Sequence, residues 1–278
     1  MPNAAWKDLS TSDHSDEVVL AVDFDATGRP EARFADLVAN LKVDLTVRES
    51  VPPDGASEAA RDAAGYLAHW AGPLEQQRPR VRAVLGFCAG SVYAAALAER
   101  IGRWQETPPQ LVLFDPELIT PVSVLWQFQK VVGFLPPLIS DAELAEARAE
   151  GQRLHDEIQD VAQLKTEFLR LTRAICTPAF TRFGLDEKRR EEVFDLFRSF
   201  LGYLAAAAGI DPADQWRTAV AYSSATPLSG LRGMRSSGRD VVVGREIEVA
   251  VEHAAMLADE GLAAEVSDLL NGPWHQAR

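Results

Sequence analysis

The stretch Val84-Leu85-Gly86-Phe87-Cys88-Ala89-Gly90-Ser91-Val92-Tyr93-Ala94-Ala95-Ala96-Leu97 constrains this chain more than any other. An apolar lead-in, Gly-x-Cys-x-Gly, and then small residues at helix-forming density read as a buried strand, a sharp turn and a helix that starts at once. The turn residue Cys88 is expected in a strained backbone conformation, with the flanking glycines letting strand and helix approach closely. Its side chain then projects at a helix N-terminus. That position is expected to lower a thiol pKa and to offer the Ala89 amide to a developing oxyanion. Cys88 is therefore the candidate nucleophile.

The rest of the chain supplies a sheet around this turn. Val18–Phe24 is an apolar run and a first core strand, and Glu31–Lys42 places Phe34, Leu37, Val38 and Leu41 on one helical face. Val43–Arg48 alternates like a strand with one wet face. Pro52–Gly55 is a loop, and Ser57 caps a helix running to about Trp70. Val81–Gly86 is the strand before the turn, the following helix runs to about Arg103, and Gln110–Phe114 is the next strand. Strands alternating with helices at this spacing imply a mostly parallel sheet covered on both faces, an α/β class.

From Pro116 to Asp214 the rhythm becomes helical, with patterns at Val122–Phe134, Ser140 to about Ile175, and Asp186 to about Ala208. Ser140-Asp141-Ala142-Glu143 is a capping box. Residues 119–216 are expected to form a helical lid inserted in a core built from 15–118 and 217–278. Its aromatic residues Trp126, Phe128, Phe134, Phe168, Phe180, Phe183, Phe194 and Phe197 are expected in part to line an acyl pocket. The α/β pattern resumes with a strand at Thr218–Ser223 and a loop at Pro227–Arg239. A helix at Arg245–Glu260 and a last strand at Ala263–Leu270 complete it.

A net charge of −13 argues against nucleic acid and against an anionic membrane surface as partners. The two cysteines, Cys88 and Cys176, fit a reducing compartment. The N-terminus lacks a signal-peptide pattern and no stretch approaches ~18 apolar residues, so a cytoplasmic location is expected.

A nucleophile needs a base, and the base an orienting acid. Of the five histidines, His14 precedes the first strand, while His69, His155 and His253 fall within helical patterns. His275 alone lies in a loop after a late strand, which makes it the candidate base. Asp115, directly after Leu111–Phe114, is the candidate acid, because a strand-end carboxylate costs desolvation unless paired. Ala89 and either Phe24 or Asp25 are the candidate oxyanion donors.

With these residues in place the layout resembles the α/β-hydrolase thioesterase domains that end nonribosomal-peptide and polyketide assembly lines, together with their type II relatives. The elbow Gly86-Phe87-Cys88-Ala89-Gly90, the acid at Asp115, the helical insertion after it and the 27-residue separation (115 − 88) carry the resemblance. It implies an enzyme with a Cys-His-Asp triad that takes an acyl or peptidyl chain from a phosphopantetheinyl carrier protein. Release follows by water or by an internal amine or hydroxyl, with no cofactor of the enzyme's own. Departures are Ser91 after the second glycine and a C-terminus three residues past His275, where that family continues into a helix. The negative charge confines any carrier-docking patch to a local group such as Arg232, Arg235 and Arg239. Alternatives are a dienelactone-hydrolase-like enzyme acting on a small ester or lactone, and a catalytically degenerate binding protein.

Overall fold

A computed structural model describes residues 5–25, 31–54, 57, 60, 62–133, 135 and 138–273. The chain forms two compact units. The first comprises Met1–Pro53, Ala63–Leu118 and Ile210–Arg278, and the second Asp54–Asp62 and Ile119–Gly209.

The first unit is built on a seven-stranded sheet of β1 (Trp6–Ser10), β2 (Glu17–Val22), β3 (Thr46–Ser50), β4 (Arg80–Phe87), β5 (Gln110–Phe114), β6 (Val220–Ser223) and β7 (Arg245–Glu248), in the order β1-β3-β2-β4-β5-β6-β7. Only β1 runs antiparallel, against β3 at one edge, so the other six strands end on the same side of the sheet. Burial on both faces explains the near-continuous apolar runs of the central strands. Val19, Ala21, Ala83, Leu85, Phe87, Val112, Phe114 and Tyr222 join one core with α1 (Phe34–Asn40), α10 (Glu260–Asn271) and a 3-10 turn at His253–Ala258. The alternate residues Leu20, Val22, Val84, Leu113 and Ala221 are equally buried and point the other way, as the pleat requires. There α2 (Ala63–Gln77) and α3 (Gly90–Ile101) meet through the ring contacts Tyr66–Tyr93 and Trp70–Tyr93.

The second unit is helical, with α4 (Pro121–Gly133), α5 (Asp141–Glu157), α6 (Val161–Arg182) and α7 (Glu187–Ala207). The single helix expected over Ser140–Ile175 is two. Asp160 accepts the Gln163 N–H at 2.7 Å and starts a new helix, so the chain turns at Ile158. Phe128 stacks on Phe168 at 4.6 Å between ring centroids, Phe180 contacts Phe194, and Phe197 is also buried. These five aromatics pack within the buried parts of the unit, whereas Trp126 and Phe183 are exposed; Phe134 lies outside the described residues. No helix among the described residues is long and apolar enough to cross a membrane.

Three expectations for the C-terminal third are corrected. Arg245–Glu260 is not one helix: Arg245–Glu248 pairs in parallel with β6, His253–Ala258 winds as a 3-10 turn, and α10 starts only at Glu260. Ala263–Leu270 is not a strand but lies in α10. Its buried positions Leu262, Ala263, Val266, Ser267 and Leu270 follow the helical period, and Asp259 caps it by accepting the Leu262 N–H. The loop at Pro227–Arg239 contains the short helix α9 (Gly230–Ser236), preceded in the chain by α8 (Ala213–Trp216).

Candidate active site

Cys88 sits at the carboxyl end of β4 with φ +51, a left-handed conformation that costs a non-glycine residue roughly 1–3 kcal/mol and persists only when surroundings enforce it. The enforcement is local. The Cys88 N–H donates to the Phe114 carbonyl at 2.9 Å, extending the β4–β5 ladder by one residue, and α3 begins at Gly90. At Gly86 a Cβ would lie 2.6 Å from the Ser91 Cα and 2.8 Å from the Ala94 Cβ, so glycine is what lets the strand and α3 pass so closely.

Asp115 repeats this geometry one strand over. It too has positive φ, +44, and its N–H donates to the Tyr222 carbonyl at 2.8 Å. The side chain is 1% exposed with both oxygens engaged. Oδ1 accepts the Ser224 N–H at 2.8 Å, and Oδ2 accepts from His253 Nδ1 at 2.7 Å. A carboxylate can only accept, so Nδ1 carries the proton and Nε2 is left with the basic lone pair. Gly230, at φ +54, closes over this acid: a Cβ there would stand 2.8 Å from Asp115 Oδ1.

His253 reaches Asp115 from the loop after β7. That loop is tied to the one after β6 by Ala225 N–H to Val251 O at 2.8 Å and by His253 N–H to Thr226 Oγ1 at 2.9 Å. The imidazole stacks on Phe87, the residue before Cys88, with centroids 4.8 Å apart and planes 19° from parallel. The structure thus brings Asp115 and His253 together beside the Cys88 turn. The sequence pattern set His253 aside because the surrounding apolar spacing imitates a helix. The alternation Arg245-Glu246-Ile247-Glu248-Val249 was the signal for a strand placing His253 in a strand-end loop. His275 lies outside the described residues.

The thiol does not behave as the helix N-terminus alone predicts. Burial, then the Glu117 carboxylate and Asp23, push its pKa well above the ordinary thiol value, and a hydrogen bond from the Ala89 amide only partly opposes them. Cys88 Sγ donates to Glu117 Oε2 at 3.5 Å. Cys176, the other free cysteine, is buried, and burial pushes its pKa up to about 11.

Of the candidate oxyanion donors, the Ala89 amide is the group that favours the Cys88 thiolate. The Phe24 amide donates to Asp23 Oδ1 at 2.7 Å, while the Asp25 side chain pairs with Lys7 and Arg33. Beneath this loop, Ser50 Oγ accepts the Asp23 N–H and donates to the Asp23 carbonyl, and fully buried Glu49 pairs with Lys7 at 2.7 Å. Burial pushes Glu49 up to about 6 against the pull of Lys7, with Asp25 and Asp23 adding to the rise. In the suggested docking patch, Arg232 pairs with Glu248 and Arg235 with Glu246, which offsets much of their charge.

No protein-family model and no curated protein sequence matches this chain. Solved structures do. One is holo-AB3403, a four-domain nonribosomal peptide synthetase bound to AMP and glycine (13% identity, 98% of this chain, TM-score 0.58); the chain spans only 20% of that protein. Another is the Vlm2 thioesterase domain with genetically encoded 2,3-diaminopropionic acid bound with a dodecadepsipeptide (15% identity, 97% of this chain and 98% of that one, TM-score 0.51). A third is the enol-lactonase from Burkholderia xenovorans LB400 (12% identity, 96% of each chain, TM-score 0.53). The chain has the α/β-hydrolase fold, which thioesterase domains and a lactonase share.

Proposed function

We propose that this protein is a thioesterase or acyltransferase that releases an acyl or peptidyl chain from a carrier-protein thioester through an acyl-enzyme on Cys88. The observation that carries this reading is the 2.7 Å bond from His253 to buried Asp115, with the imidazole stacked on the residue next to a left-handed Cys88. His253 then takes the role of base that the sequence pattern gave to His275.

In the proposed reaction His253 Nε2 takes the thiol proton as sulfur attacks the thioester carbonyl. The Ala89 amide receives the oxyanion, aided by a second amide from the Phe24–Asp25 loop. Phe24 fills that place only if its N–H leaves Asp23. Collapse expels the pantetheine thiolate, which takes the proton from His253. Water, or an amine or hydroxyl of the acyl chain, then gives its proton to the same imidazole and attacks the Cys88 thioester, returning the thiol. A thioester intermediate is more activated than an ester, which suits a weak or constrained nucleophile. In the chain the helical unit is inserted between β5 and β6.

The likeness to thioesterase domains supports the acyl-transfer class, and the carrier protein is the partner that class implies. The equal likeness to an enol-lactonase favours one alternative, hydrolysis of a small lactone or ester by the same residues. Incubation with acyl N-acetylcysteamine thioesters and with simple lactones, followed by intact mass, separates the two. A Cys88 adduct from thioesters is expected; turnover of lactones alone selects the alternative, and reaction with neither refutes both.

A further inference from the structure

Resting on Cys88 as the nucleophile, we propose that Glu117 is a positioning residue that accepts the Cys88 S–H, holds the resting sulfur as a neutral thiol and sets a negative field at the point of attack. Three observations place it there. Cys88 Sγ lies 3.5 Å from Glu117 Oε2. The Glu117 N–H donates to the Cys88 carbonyl at 3.3 Å, so the two residues are bound by backbone as well as by side chain. Glu117 also follows Asp115-Pro116 on the loop that supplies the acid, and its neighbour Leu118 is fixed by its N–H contact to Met234 Sδ at 3.3 Å. One short segment therefore carries both carboxylates with distinct tasks: Asp115 orients the imidazole and Glu117 orients the thiol.

The chemical consequence follows from charge. A carboxylate facing a sulfur opposes the thiolate, so the resting enzyme resists alkylation and oxidation, which both need the thiolate. Asp23, from the loop after β2, adds to this field, while the Ala89 amide is the group that opposes it. The Asp115–His253 pair faces the same turn through Phe87 and supplies the base only when a substrate is attacked. Electrophiles carrying positive charge near the reacting atom are drawn to this field, and anionic ones are repelled.

The test is the pH profile of iodoacetamide alkylation of full-length protein, with modification at Cys88 read by peptide mass. In Glu117→Gln the midpoint should fall by about one pH unit or more, the scale of a like charge at this range, with about tenfold faster alkylation at neutral pH. Glu117→Asp should move it back toward wild type. An unchanged midpoint in a folded Glu117→Gln protein overturns the proposal. Wild type decides independently of whether that variant folds. A cationic ethylammonium methanethiosulfonate should modify Cys88 at least about tenfold faster than its anionic ethylsulfonate counterpart, and equal rates overturn the proposal. Cys88 that stays unmodified by every reagent at every pH removes the nucleophile itself, an outcome distinct from a failure of Glu117 alone.

Discussion

Asp115→Asn removes one charge and almost no volume, and the distances around it define what breaks. Oδ1 holds the Ser224 N–H at 2.8 Å and Oδ2 holds the Nδ1–H of His253 at 2.7 Å. An asparagine has one carbonyl oxygen, so it keeps one donor and turns its NH2 toward the other. If the carbonyl stays on Ser224, His253 Nδ1 must accept; its proton moves to Nε2, and the ring cannot take a proton from Cys88. If the carbonyl stays on His253, two donors face one another in a site that is 1% exposed. In the first case both bonds survive but lose the help of the charge, and in the second one bond to a charged group is lost outright, so the cost to the fold is at most about 1.5–3 kcal/mol. The wrong tautomer costs about 10⁴-fold in rate, near 5.5 kcal/mol in activation free energy. The assay is kcat/KM on an acyl N-acetylcysteamine thioester beside thermal unfolding of the same preparation. The expected result is a rate loss far larger than the loss of stability accounts for. Activity within tenfold of wild type, or a rate loss that merely follows the unfolded fraction, refutes the reasoning.

His253→Ala should lower kcat by about 10³-fold or more, whereas His275→Ala should leave it within a few-fold; the opposite pattern, in the same thioester assay, returns the base to His275. Gly230→Ala should destabilise by about 1–3 kcal/mol and slow acylation as well, because its φ of +54 and the 2.8 Å approach to Asp115 Oδ1 leave no place for a methyl group; denaturant unfolding and kcat/KM together check this. Glu49 gives a pH signature. Its folded pKa of about 6 exceeds the ordinary 4.5, so the folded state binds the proton more tightly and stability should rise as pH falls from above 6 toward 4.5. The span is worth about 2 kcal/mol. Glu49→Gln should abolish that component of the urea-unfolding pH profile, and an unaltered profile counts against it.

How much of this was legible in the chain depends on how local each feature is. The Cys88 turn is a short-range object: Gly86, the left-handed residue and the small residues of α3 lie within one strand–turn–helix, and the side chains that demand this geometry are neighbours in sequence. Asp115 was accessible for a similar reason, as a carboxylate ending a buried apolar run that needs a partner. The partner was not. Ile247, Val251, Ala254 and Leu257 fall at helical spacing by coincidence, and four residues of β7 are too few for alternation to outweigh it. The apolar content of Ala263–Leu270 misled in the opposite sense, because a buried helix face and a buried strand are equally rich in such residues.

The sequence by itself determined the class of sheet, the left-handed turn at Cys88 and the buried carboxylate of Asp115 beside it, since strand periodicity, glycine spacing and desolvation cost are written in adjacent residues. Only the tertiary structure decided that His253 pairs with Asp115 and what surrounds the thiol. His253 meets Asp115 across 138 positions of chain because β7 adds to the sheet beside β6 and delivers its loop to the same edge. Burial raises the thiol, and Glu117 adds to that rise because a backbone turn folds it back onto Cys88. Both are matters of which strand ends lie next to one another, and strand order is set by pairing energies summed over the whole sheet, which no local stretch of sequence contains.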